Sequence, residues 1–578
     1  MKKSFIFISL LLALCYSLLV LHHGFVDAAD ADSSVHLSLP SDQPYRTGYH
    51  FQPPQNWMND PNGPMYYKGV YHFFYQYNPN GPLFGDIMIW GHSVSYDLVN
   101  WIHIDPAIYP TDPADINSCF SGSATFLPGY KPVMLYTGLD TEKRQVQNLA
   151  VPKNLSDPFL REWVKHKANP IMTTPEGVKA DDFRDPSTAW LGYDGKWRVL
   201  VGSKKNDLGV AYLYQSKDFV KWERFDYPLM SMMETSTWEC PDFFPVSVSS
   251  TNGLDTSGVI NPGVKHVVKV GFNGIDWYTI GTLSERDNYV PENGLKGNSL
   301  DMRYDYGKFY ASKSFYDNAK QRRVLWGWIS EADAQEDDVA RGWSGLQAVP
   351  RSVWLDRNGK QLVQWPVEEI EKLRENEVKF SNKELEGGSL FEVEGITASQ
   401  ADVKISFKLS NLEEAEELDP SWTDPQLLCS EMGVSSKGKY GPFGLLALAS
   451  DDLTEQTAIF FRVFSSHGKY VVLMCSDQRR SSISNNVEKT TYGTFVDIDP
   501  KHEEISLRSL IDHSIIESFG AEGKSCITAR VYPRLAINKD AHLYTFNYGS
   551  ESVMISELNA WSMKNAHMIV DETLSSAA

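Results

Sequence analysis

The first two thirds of the chain alternate between short runs of aromatic and β-branched residues and clusters of Gly, Pro, Asn and Asp. Between about Tyr45 and Trp365 the apolar runs include Val70–Tyr75, Val133–Tyr136, Trp197–Val201, Trp277–Ile280 and Val324–Trp328. Runs of this length with turn residues between them are typical of consecutive strands. The pattern therefore predicts an all-β fold, either a propeller, a barrel or a sandwich, rather than alternating strands and helices.

One internal repeat narrows the architecture. The segments Ser95–Trp101 and Ser216–Trp222 share the pattern Ser-x-Asp-x-Val-x-Trp. A recurring local pattern is the sign of a supersecondary unit that the fold uses more than once.

A change of pattern follows Trp365 and divides the chain. Within residues 366–376, apolar side chains at Val367, Ile370 and Leu373 predict a short amphipathic helix that acts as a connector. Beyond it, polar and apolar residues alternate in segments such as Val403–Leu409 and Ala458–Phe464, which predicts a second β domain over residues 377–570.

Residues 1–29 have the layout of a cleavable secretory signal. Lys2 and Lys3 precede an apolar run over residues 5–20, and the small residues Ala28 and Ala29 follow. The run is too short to span a membrane comfortably, although a signal anchor remains an alternative.

The charge of the chain restricts its partners. The formal net charge of −20 repels phosphate backbones and anionic lipids, so we expect neither nucleic acid nor a membrane surface as a partner. A neutral sugar fits this charge, and we expect a monomer. An acidic protein also binds pectic cell wall poorly, which favours the vacuole over the apoplast.

The cysteine count fits a secreted protein. Cys15 would leave with the signal, so five of the six cysteines would reach an oxidising compartment and at least one would stay unpaired within the chain. Asn154 begins the only Asn-x-Ser/Thr sequon, and it follows a loop-like Pro-Lys, so we expect an exposed glycan there.

Three carboxylates are candidates for chemistry, because hydrolysis of a glycosidic bond needs two such groups and a third can stabilise developing charge. Asp60 lies in Asn-Asp-Pro-Asn-Gly, which predicts a tight turn just before a strand and a fixed direction for the carboxylate. Asp185 follows Arg184, whose guanidinium we expect to keep the carboxylate ionised. The alternatives are an ordinary Asx-turn at Asp60 and a surface turn at Asp185.

Glu239 is the candidate proton donor. Its position between Trp238 and Cys240 predicts desolvation and a raised pKa, the property that an acid catalyst needs near neutral pH. A satisfied core glutamate is the alternative. The sequence contains no His-Glu-x-x-His or Cys-x-x-Cys cluster, phosphate loop or nucleotide fingerprint, so we expect no metal and no cofactor.

Taken together, the motifs are far more specific than any one of them. Besides the three carboxylate motifs, the chain has Phe120–Thr125, Asp512–Gly520 and Tyr532-Pro533. It resembles glycoside hydrolase family 32, the plant cell-wall invertases and fructan exohydrolases, over essentially its whole length after the signal. The resemblance implies a five-bladed β-propeller over residues 45–365, with the site in its central funnel, followed by a β-sandwich over 377–570.

The resemblance also implies roles for individual residues. Asp60 would attack the anomeric carbon of a fructosyl unit, Glu239 would act as acid and then base, and Asp185 would bind ring hydroxyls. Sugar-contact positions that match the family are Trp57, Asn59, Gln76, Ser121 and Arg184, with Phe84 and Phe120 where many invertases carry Trp. Cys429 and Cys475 resemble the pair that the family joins as a disulfide. We expect Cys119 and Cys240 to be buried free thiols, and Cys526 stays unassigned.

One departure from the invertase pattern bears on the substrate. Invertases of the family carry an Asp with a Lys three positions on, in a loop before the strand here written Trp277–Thr282, and that Asp holds the glucose of sucrose. The stretch Lys269–Thr282 is shorter and lacks this pair, and Asp276 corresponds to a different Asp beside the strand. This favours terminal β-2,1-linked fructan of the inulin type. Sucrose hydrolysis, β-2,6 fructan hydrolysis and a catalytically silent sugar-binding homologue are the alternatives.

Overall fold

The computed structural model describes residues 43–257, 261–293 and 302–571, and these residues are mostly β-strand. The predicted signal peptide lies outside them. The elements up to Pro366 are β1 (Asn56–Tyr67), β2 (Val70–Asn78), β3 (Ile89–Ser95), β4 (Trp101–Ile108), β5 (Ser118–Leu127), β6 (Lys131–Leu139), β7 (Gln145–Pro152), β8 (Trp163–Lys165), β9 (Phe183–Arg184), β10 (Trp190–Leu191), β11 (Trp197–Lys205), β12 (Leu208–Ser216), β13 (Glu223–Arg224), β14 (Met230–Met233), β15 (Glu239–Ser247), β16 (Val264–Phe272), β17 (Ile275–Leu283), β18 (Tyr289–Asn293), β19 (Tyr310–Asp317), β20 (Arg322–Ile329), α1 (Gln335–Arg341), β21 (Trp343–Ser344), β22 (Leu346–Gln347), β23 (Arg351–Leu355) and β24 (Leu362–Pro366).

The remaining elements are a 3-10 helix (Glu368–Leu373), β25 (Arg374–Leu385), β26 (Ser389–Glu392), β27 (Gln400–Leu409), a 3-10 helix (Leu412–Glu414), α2 (Pro425–Glu431), β28 (Tyr440–Ala449), β29 (Thr457–Ser466), β30 (Lys469–Asp477), β31 (Thr491–Val496), β32 (Ile505–Asp512), β33 (Ile515–Gly520), a 3-10 helix (Ala521–Gly523), β34 (Ser525–Arg530), a 3-10 helix (Asn538–Asp540), β35 (His542–Asn547), β36 (Val553–Met563) and β37 (Met568–Val570). Among the described residues, no helix is both long and apolar enough to cross a membrane.

The described strands before the 3-10 helix at Glu368–Leu373 form five sheets in chain order. Sheet 1 contains β1–β4, sheet 2 contains β5–β8, sheet 3 contains β9–β14, sheet 4 contains β15–β18, and sheet 5 contains β19, β20 and β22–β24. The long successive strands of each sheet pair antiparallel, as short turns allow, and in sheets 3 and 5 the short strands β9, β14 and β22 add to them, also antiparallel. Sheet 1 gains two short parallel strands, β21 on β1 and β37 on β4.

Each sheet shares a hydrophobic core with the next one along the chain, and sheet 5 shares one with sheet 1. Aromatic contacts mark several of these cores: Trp90 with Tyr136 (sheets 1 and 2), Trp190 with Phe243 (sheets 3 and 4) and Phe73 with Trp326 (sheets 1 and 5). Val133 and Val199 belong to the core of sheets 2 and 3, and Val267 and Leu325 to that of sheets 4 and 5. Because both faces are covered, the central strands β2 and β11 are buried along almost their whole length.

The repeat found in the sequence forms the same turn twice, after β3 and after β12. In both copies the serine Oγ accepts a backbone N–H three residues on, at 2.8 Å for Ser95 and 2.9 Å for Ser216. The aspartate Oδ1 accepts another N–H at 2.8 Å, at Asp97 and at Asp218. The prediction of a repeated unit is therefore confirmed.

The predicted connector forms a 3-10 helix rather than an α-helix. Its apolar positions Val367, Ile370 and Leu373 recur every three residues, which matches the three residues per turn of a 3-10 helix. Strand β25 begins at Arg374, inside the stretch assigned to the connector.

The second half contains two sheets of six strands each in the described residues. Sheet 6 has the order β25-β36-β27-β32-β33-β34 and sheet 7 the order β26-β35-β28-β29-β30-β31. They share one hydrophobic core, in which Phe407 of sheet 6 contacts Phe443 of sheet 7 with ring centroids 5.1 Å apart. A disulfide joins Cys429 of α2 to Cys475 of β30.

The Asp512–Gly520 segment, one of the motifs noted in the sequence, contacts the first half of the chain. His50 Nδ1 lies 2.8 Å from Asp512 Oδ2, and His50 Nε2 lies 2.9 Å from Glu517 Oε1. Arg351 of β23 contacts both Glu517 and Asp305. Burial opposes the imidazolium charge, but the hydrogen bonds that His50 donates to Asp512 and Glu517 outweigh it and raise the pKa of His50 to about 9. We call these five side chains the junction cluster.

Candidate active site

Asp60 lies within β1 and not in a turn before a strand, so that part of the prediction is wrong. The Pro-Asn-Gly sequence is accommodated by a register shift between Met58 and Pro61, where a bulge replaces the expected turn. Asp60 Oδ2 accepts a hydrogen bond from Ser121 Oγ at 2.6 Å, and Oδ1 accepts one from Asn59 Nδ2 at 2.9 Å. Burial and the nearby Asp185 raise the pKa of Asp60, and these hydrogen bonds oppose the rise.

Asp185 follows β9 and has a φ of 61°, a strained value for a non-glycine residue. Its N–H donates to Thr137 Oγ1 at 2.8 Å, which holds the strained backbone. Its Oδ2 accepts a hydrogen bond from the Cys240 N–H at 2.9 Å. The side chain is only 3% exposed, so its carboxylate is held deep in the site.

Arg184 forms its salt bridge with Glu239 rather than with Asp185, although the charges of Asp185 and Glu239 together raise the pKa of Arg184 against the opposing effect of burial. Its Nη1 lies 3.3 Å from Glu239 Oε1.

Glu239 is the first residue of β15, at a register shift that ends at Asp242. Its Oε2 accepts a hydrogen bond from the Tyr310 hydroxyl at 2.6 Å. Burial raises the pKa of Glu239 and Arg184 opposes the rise, with Asp185 raising it further. The raised pKa agrees with the expectation from its sequence position. The side chain is still 31% exposed, so the carboxyl can reach a ligand.

Cys240 connects the carboxylates. Its Sγ lies 3.3 Å from Asp60 Oδ2 and 3.6 Å from Asp185 Oδ2. Because Glu239 is its neighbour in the chain and is itself influenced by both aspartates, the three carboxylates belong to one site. No pattern in the sequence predicts that this thiol contacts two of them.

A shared backbone irregularity brings these residues together. The first strands of four sheets carry register shifts, between Met58 and Pro61 in β1, Cys119 and Gly122 in β5, Glu239 and Asp242 in β15, and Tyr310 and Lys313 in β19. Bulges redirect side chains and are over-represented beside active sites. Tyr310 was missed in the sequence, although it occupies the same place in sheet 5 that Glu239 occupies in sheet 4.

Aromatic side chains form one wall beside the carboxylates. Trp57 contacts Phe84 with ring centroids 6.0 Å apart, and Phe84 contacts Phe120 at 6.5 Å. Phe84 is 56% exposed, so its ring is open to a ligand. Trp328, which the sequence did not single out, packs against Trp57 at 5.8 Å.

Two polar side chains complete the predicted set. Asn59 accepts a hydrogen bond from Trp57 Nε1 at 2.8 Å, which fixes both groups. Gln76 is 2% exposed, and its Nε2 has no hydrogen-bond partner among the described residues. A buried amide without a partner is costly unless a ligand or water satisfies it.

Comparisons with known proteins agree with this geometry. The model of the glycosyl hydrolases family 32 N-terminal domain matches residues 50–366, and that of the family 32 C terminal matches residues 369–562. The chain belongs to this family. An insoluble beta-fructofuranosidase isoenzyme of Arabidopsis thaliana is 57% identical over 93% of both chains, and the fructan 6-exohydrolase of Beta vulgaris is 54% identical over 96% of this chain and 95% of the relative.

A solved relative has the same fold. The crystal structure of fructan 1-exohydrolase IIa from Cichorium intybus is 66% identical, with a TM-score of 0.90 over 92% of this chain and 99% of that one. A variant of the Cichorium protein, solved in complex with 1-kestose, matches equally well.

The thiols of this family 32 protein behave as structural groups. Among the described residues, Cys119, Cys240 and Cys526 are unpaired, and all three are buried. Burial and the neighbouring Asp185 raise the pKa of Cys240 well above its ordinary value. A protonated thiol is a poor nucleophile, so Cys240 acts here as a weak hydrogen-bond donor.

The stretch Lys269–Thr282, which departs from the invertase pattern, forms a hairpin with a two-residue turn. In this family 32 chain, β16 and β17 pair up to Phe272 and Ile275, so only Asn273 and Gly274 form the turn. Their φ values of 53° and 73° are those of a type I′ turn, which Asn-Gly favours. Asp276 is 1% exposed and accepts a hydrogen bond from the Ser312 N–H at 2.7 Å, so it faces the interior and not a ligand.

Proposed function

We propose that this protein removes terminal fructose from β-2,1-linked fructan of the inulin type, with retention of configuration at the anomeric carbon. Fructosyl hydrolysis follows from the family and its close relatives. The observation that carries the choice of fructan is the two-residue turn beside Glu239, whose register partner is Gly271 on the same hairpin.

The proposed architecture is a five-bladed β-propeller followed by a β-sandwich. Two features support the propeller: the closed cycle of shared cores from sheet 1 to sheet 5, and contacts between neighbouring first strands, β1 with β5, β5 with β9, β15 with β19 and β19 with β1. The common core of sheets 6 and 7 supports the sandwich.

The proposed first half-reaction uses Asp60 and Glu239. An Asp60 carboxylate oxygen attacks the anomeric carbon of the terminal fructosyl unit and forms a covalent ester. The bond to the bridging oxygen breaks, and Glu239 gives that oxygen its proton, so that the shortened fructan leaves as an alcohol. The raised pKa of Glu239 supports its role as the acid.

In the second half-reaction the roles reverse. Glu239, now ionised, takes a proton from water, and the resulting hydroxide attacks the anomeric carbon and breaks the ester to Asp60. Fructose leaves and both carboxyls return to their starting states. Asp185, held by the Cys240 N–H, would accept hydrogen bonds from ring hydroxyls and stabilise the positive charge of the transition state.

The sugar would be oriented by the surrounding side chains. Trp57, Phe84 and Phe120 offer an apolar wall for a sugar face. Gln76, whose amide lacks a partner, and Asn59 would bind hydroxyls, as would Ser121 and Arg184. Neither a metal nor a cofactor enters this scheme.

The substrate preference follows from what the hairpin cannot offer. A type I′ turn of Asn273 and Gly274 presents no carboxylate to a glucose in the leaving-group subsite. A charge-assisted hydrogen bond of that kind contributes about 1.5–3 kcal/mol, so its loss weakens sucrose and leaves room for a longer chain. The likeness to the Cichorium fructan 1-exohydrolase, which has been solved with 1-kestose, supports the same choice.

A substrate panel tests this proposal. We expect kcat/KM for 1-kestose and inulin to exceed that for sucrose and for β-2,6-linked levan, measured as fructose release. Faster release of glucose from sucrose than of fructose from inulin would make the protein an invertase, and faster hydrolysis of levan would make it a β-2,6 exohydrolase. Binding of all four sugars without hydrolysis would identify a silent homologue.

The proposed setting is the secretory pathway, with the chain acting as a monomer. Relatives include cell-wall isoenzymes, whereas the net charge of −20 favours the vacuole for this chain. Asn154, which is exposed after β7, would carry a glycan. Immunolocalisation and endoglycosidase digestion test these two assignments.

A further inference from the structure

A lysine is fully buried beside the active site. Lys269, in the middle of β16, has no exposed surface. Its Nζ donates hydrogen bonds to the backbone oxygens of Cys240 and Ser312, both at 2.6 Å, and lies 3.6 Å from Asp276 Oδ2. Three acceptors thus surround the three N–H donors of one ammonium group, an arrangement that a buried lysine needs.

The two backbone oxygens belong to bulges. Cys240 lies inside the register shift of β15 and Ser312 inside that of β19. A bulge removes ladder partners from the backbone, so these carbonyls depend on another donor. One ammonium group therefore joins the irregular segments of two neighbouring sheets.

Both bulges contain a strained residue. Cys240 has a φ of 46° and Ala311 a φ of 54°, values that non-glycine residues adopt only when their surroundings enforce them. Glu239 and Tyr310 directly precede these two residues, and the Tyr310 hydroxyl donates to Glu239 at 2.6 Å. The position of each member of this pair therefore depends on its bulge.

We propose that Lys269 is a positioning residue for the reaction: by holding the bulges of β15 and β19 together, it sets the hydrogen bond between Tyr310 and Glu239. It does not touch the substrate. The inference rests on the proposed hydrolysis and adds to it a group in the layer behind the carboxylates.

Lys313 provides a matched control. It is also fully buried, and its Nζ lies 3.4 Å from the Pro241 oxygen, one residue further along the same bulge. Lys313 ends the register shift of β19, so this one longer bond also runs from β19 to β15. Removal of Lys313 takes away a buried charge of the same sign near the site, but leaves in place both 2.6 Å bonds of Lys269, to the Cys240 and Ser312 oxygens.

The test is the pH dependence of kcat/KM for Lys269→Met and Lys313→Met. The Tyr310 hydrogen bond lowers the pKa of Glu239, so a loosened bond raises it. We expect Lys269→Met to move the alkaline limb of the pH profile to higher pH by about one unit. We also expect it to lower kcat roughly ten- to hundredfold, with KM changed by less than about twofold. We expect Lys313→Met to leave the limb in place.

Three further variants separate the effect of positioning from the effects of charge and of misfolding. Lys269→Met/Asp276→Asn keeps the net charge of the site and leaves no unpaired carboxylate, and we expect it to show the same shift as the single variant. Tyr310→Phe alone should shift the limb too, and adding Lys269→Met to it should produce no additional shift, because the lysine acts through the tyrosine.

Three outcomes would overturn the inference: an unmoved limb in both Lys269 variants, an equal shift in Lys313→Met, or additive shifts in the Tyr310→Phe background. If the unmodified protein hydrolyses no β-fructoside, the proposed function fails instead. If the unmodified protein is active and any of the three outcomes is observed, only the role of Lys269 is contradicted.

Discussion

The protein contains two groups of buried carboxylates whose electrostatics are opposite. In the junction cluster, Asp512 and Glu517 face His50 and Arg351, and all four side chains are 0% exposed. Burial alone would raise the pKa values of the two carboxyls, but hydrogen bonds and opposite charges hold both below the ordinary range. Here every charge has a partner, and the cluster links the two halves of the chain.

In the active site the charges are not balanced. The guanidinium of Arg184 forms its salt bridge with Glu239, and burial together with the charge of Asp185 raises the pKa values of Asp60 and Glu239. The difference teaches that a carboxylate cluster stabilises the fold when its charges are matched and becomes reactive when they are not. Stability and catalysis thus use the same residue types with different partners.

The largest expected effect is the loss of activity when an active-site carboxyl is removed. We expect Glu239→Gln and Asp60→Asn each to lower kcat on inulin by roughly 10³- to 10⁴-fold, because each removes a group that reacts. Steady-state fructose release checks this. Unchanged release in either variant would indicate a contaminating activity.

Asp60→Asn, which lowers activity, should have the opposite effect on stability. The folded pKa of Asp60 is raised, so its ionisation above pH ~4, the ordinary value, destabilises the fold. We therefore expect Asp60→Asn to melt at or above the temperature of the unmodified protein at pH 7, and to lose this advantage below pH ~4. A lower melting temperature at pH 7 would contradict the unbalanced charge of the site.

In the junction cluster we expect a substitution to destabilise the fold and to leave activity almost unchanged. Asp512→Asn should cost about 3–5 kcal/mol of unfolding free energy, because it leaves His50 partly unpaired in a buried place. Urea unfolding measures the loss, and kcat per folded molecule should change by less than about threefold. Glu557→Gln, which removes a half-exposed ion pair with Lys379, is the matched control and should leave the free energy of unfolding nearly unchanged.

The pH dependence of stability sharpens the contrast. The folded pKa of His50 is about 9, above its ordinary 6.5, so the stability that it contributes is complete below pH 6.5 and lost as the pH rises through 9. His50→Gln should remove this loss, so the two proteins should differ most at pH 6 and converge at pH 10. Parallel curves across this range would show that His50 is not charged in the fold.

The smallest expected effect concerns the aromatic wall. Phe84→Trp adds an indole N–H at an exposed position beside Trp57, and one new hydrogen bond should change the ratio of kcat/KM for sucrose to that for 1-kestose by about two- to fivefold in favour of sucrose. Tyr96→Trp, on an exposed side chain of the turn after β3, is the control and should leave the ratio unchanged. An unaltered ratio in Phe84→Trp would remove Phe84 from the subsite.

Much of this architecture can be predicted from the sequence, because strands and their turns are local. Val70–Tyr75 and Trp197–Val201 lie in strands, and the Asn273-Gly274 turn has the dipeptide that its geometry requires. The 3-10 connector could also have been predicted, since its apolar residues are three apart.

The parts that were missed depend on long-range geometry. The turn predicted at Asp60 is a bulge, because pairing with β2 outweighs the local preference of Pro-Asn-Gly. Arg184 pairs with Glu239, 55 residues away, and not with its neighbour. Tyr310 and Lys269 have no local signal of function: Tyr310 begins the bulge of β19, and Lys269 gains its partners only because the bulges of β15 and β19 bring the Cys240 and Ser312 carbonyls to it.

The most direct test of the central claim is to trap the covalent intermediate on the unbalanced site. Glu239→Gln lacks the base for the second half-reaction but can still react with fructosyl fluoride, whose leaving group needs no proton donor. Peptide mass spectrometry after acid quenching should find one fructosyl unit on the peptide that contains Asp60. An adduct on Asp185, or no adduct while fluoride is released, would contradict the account.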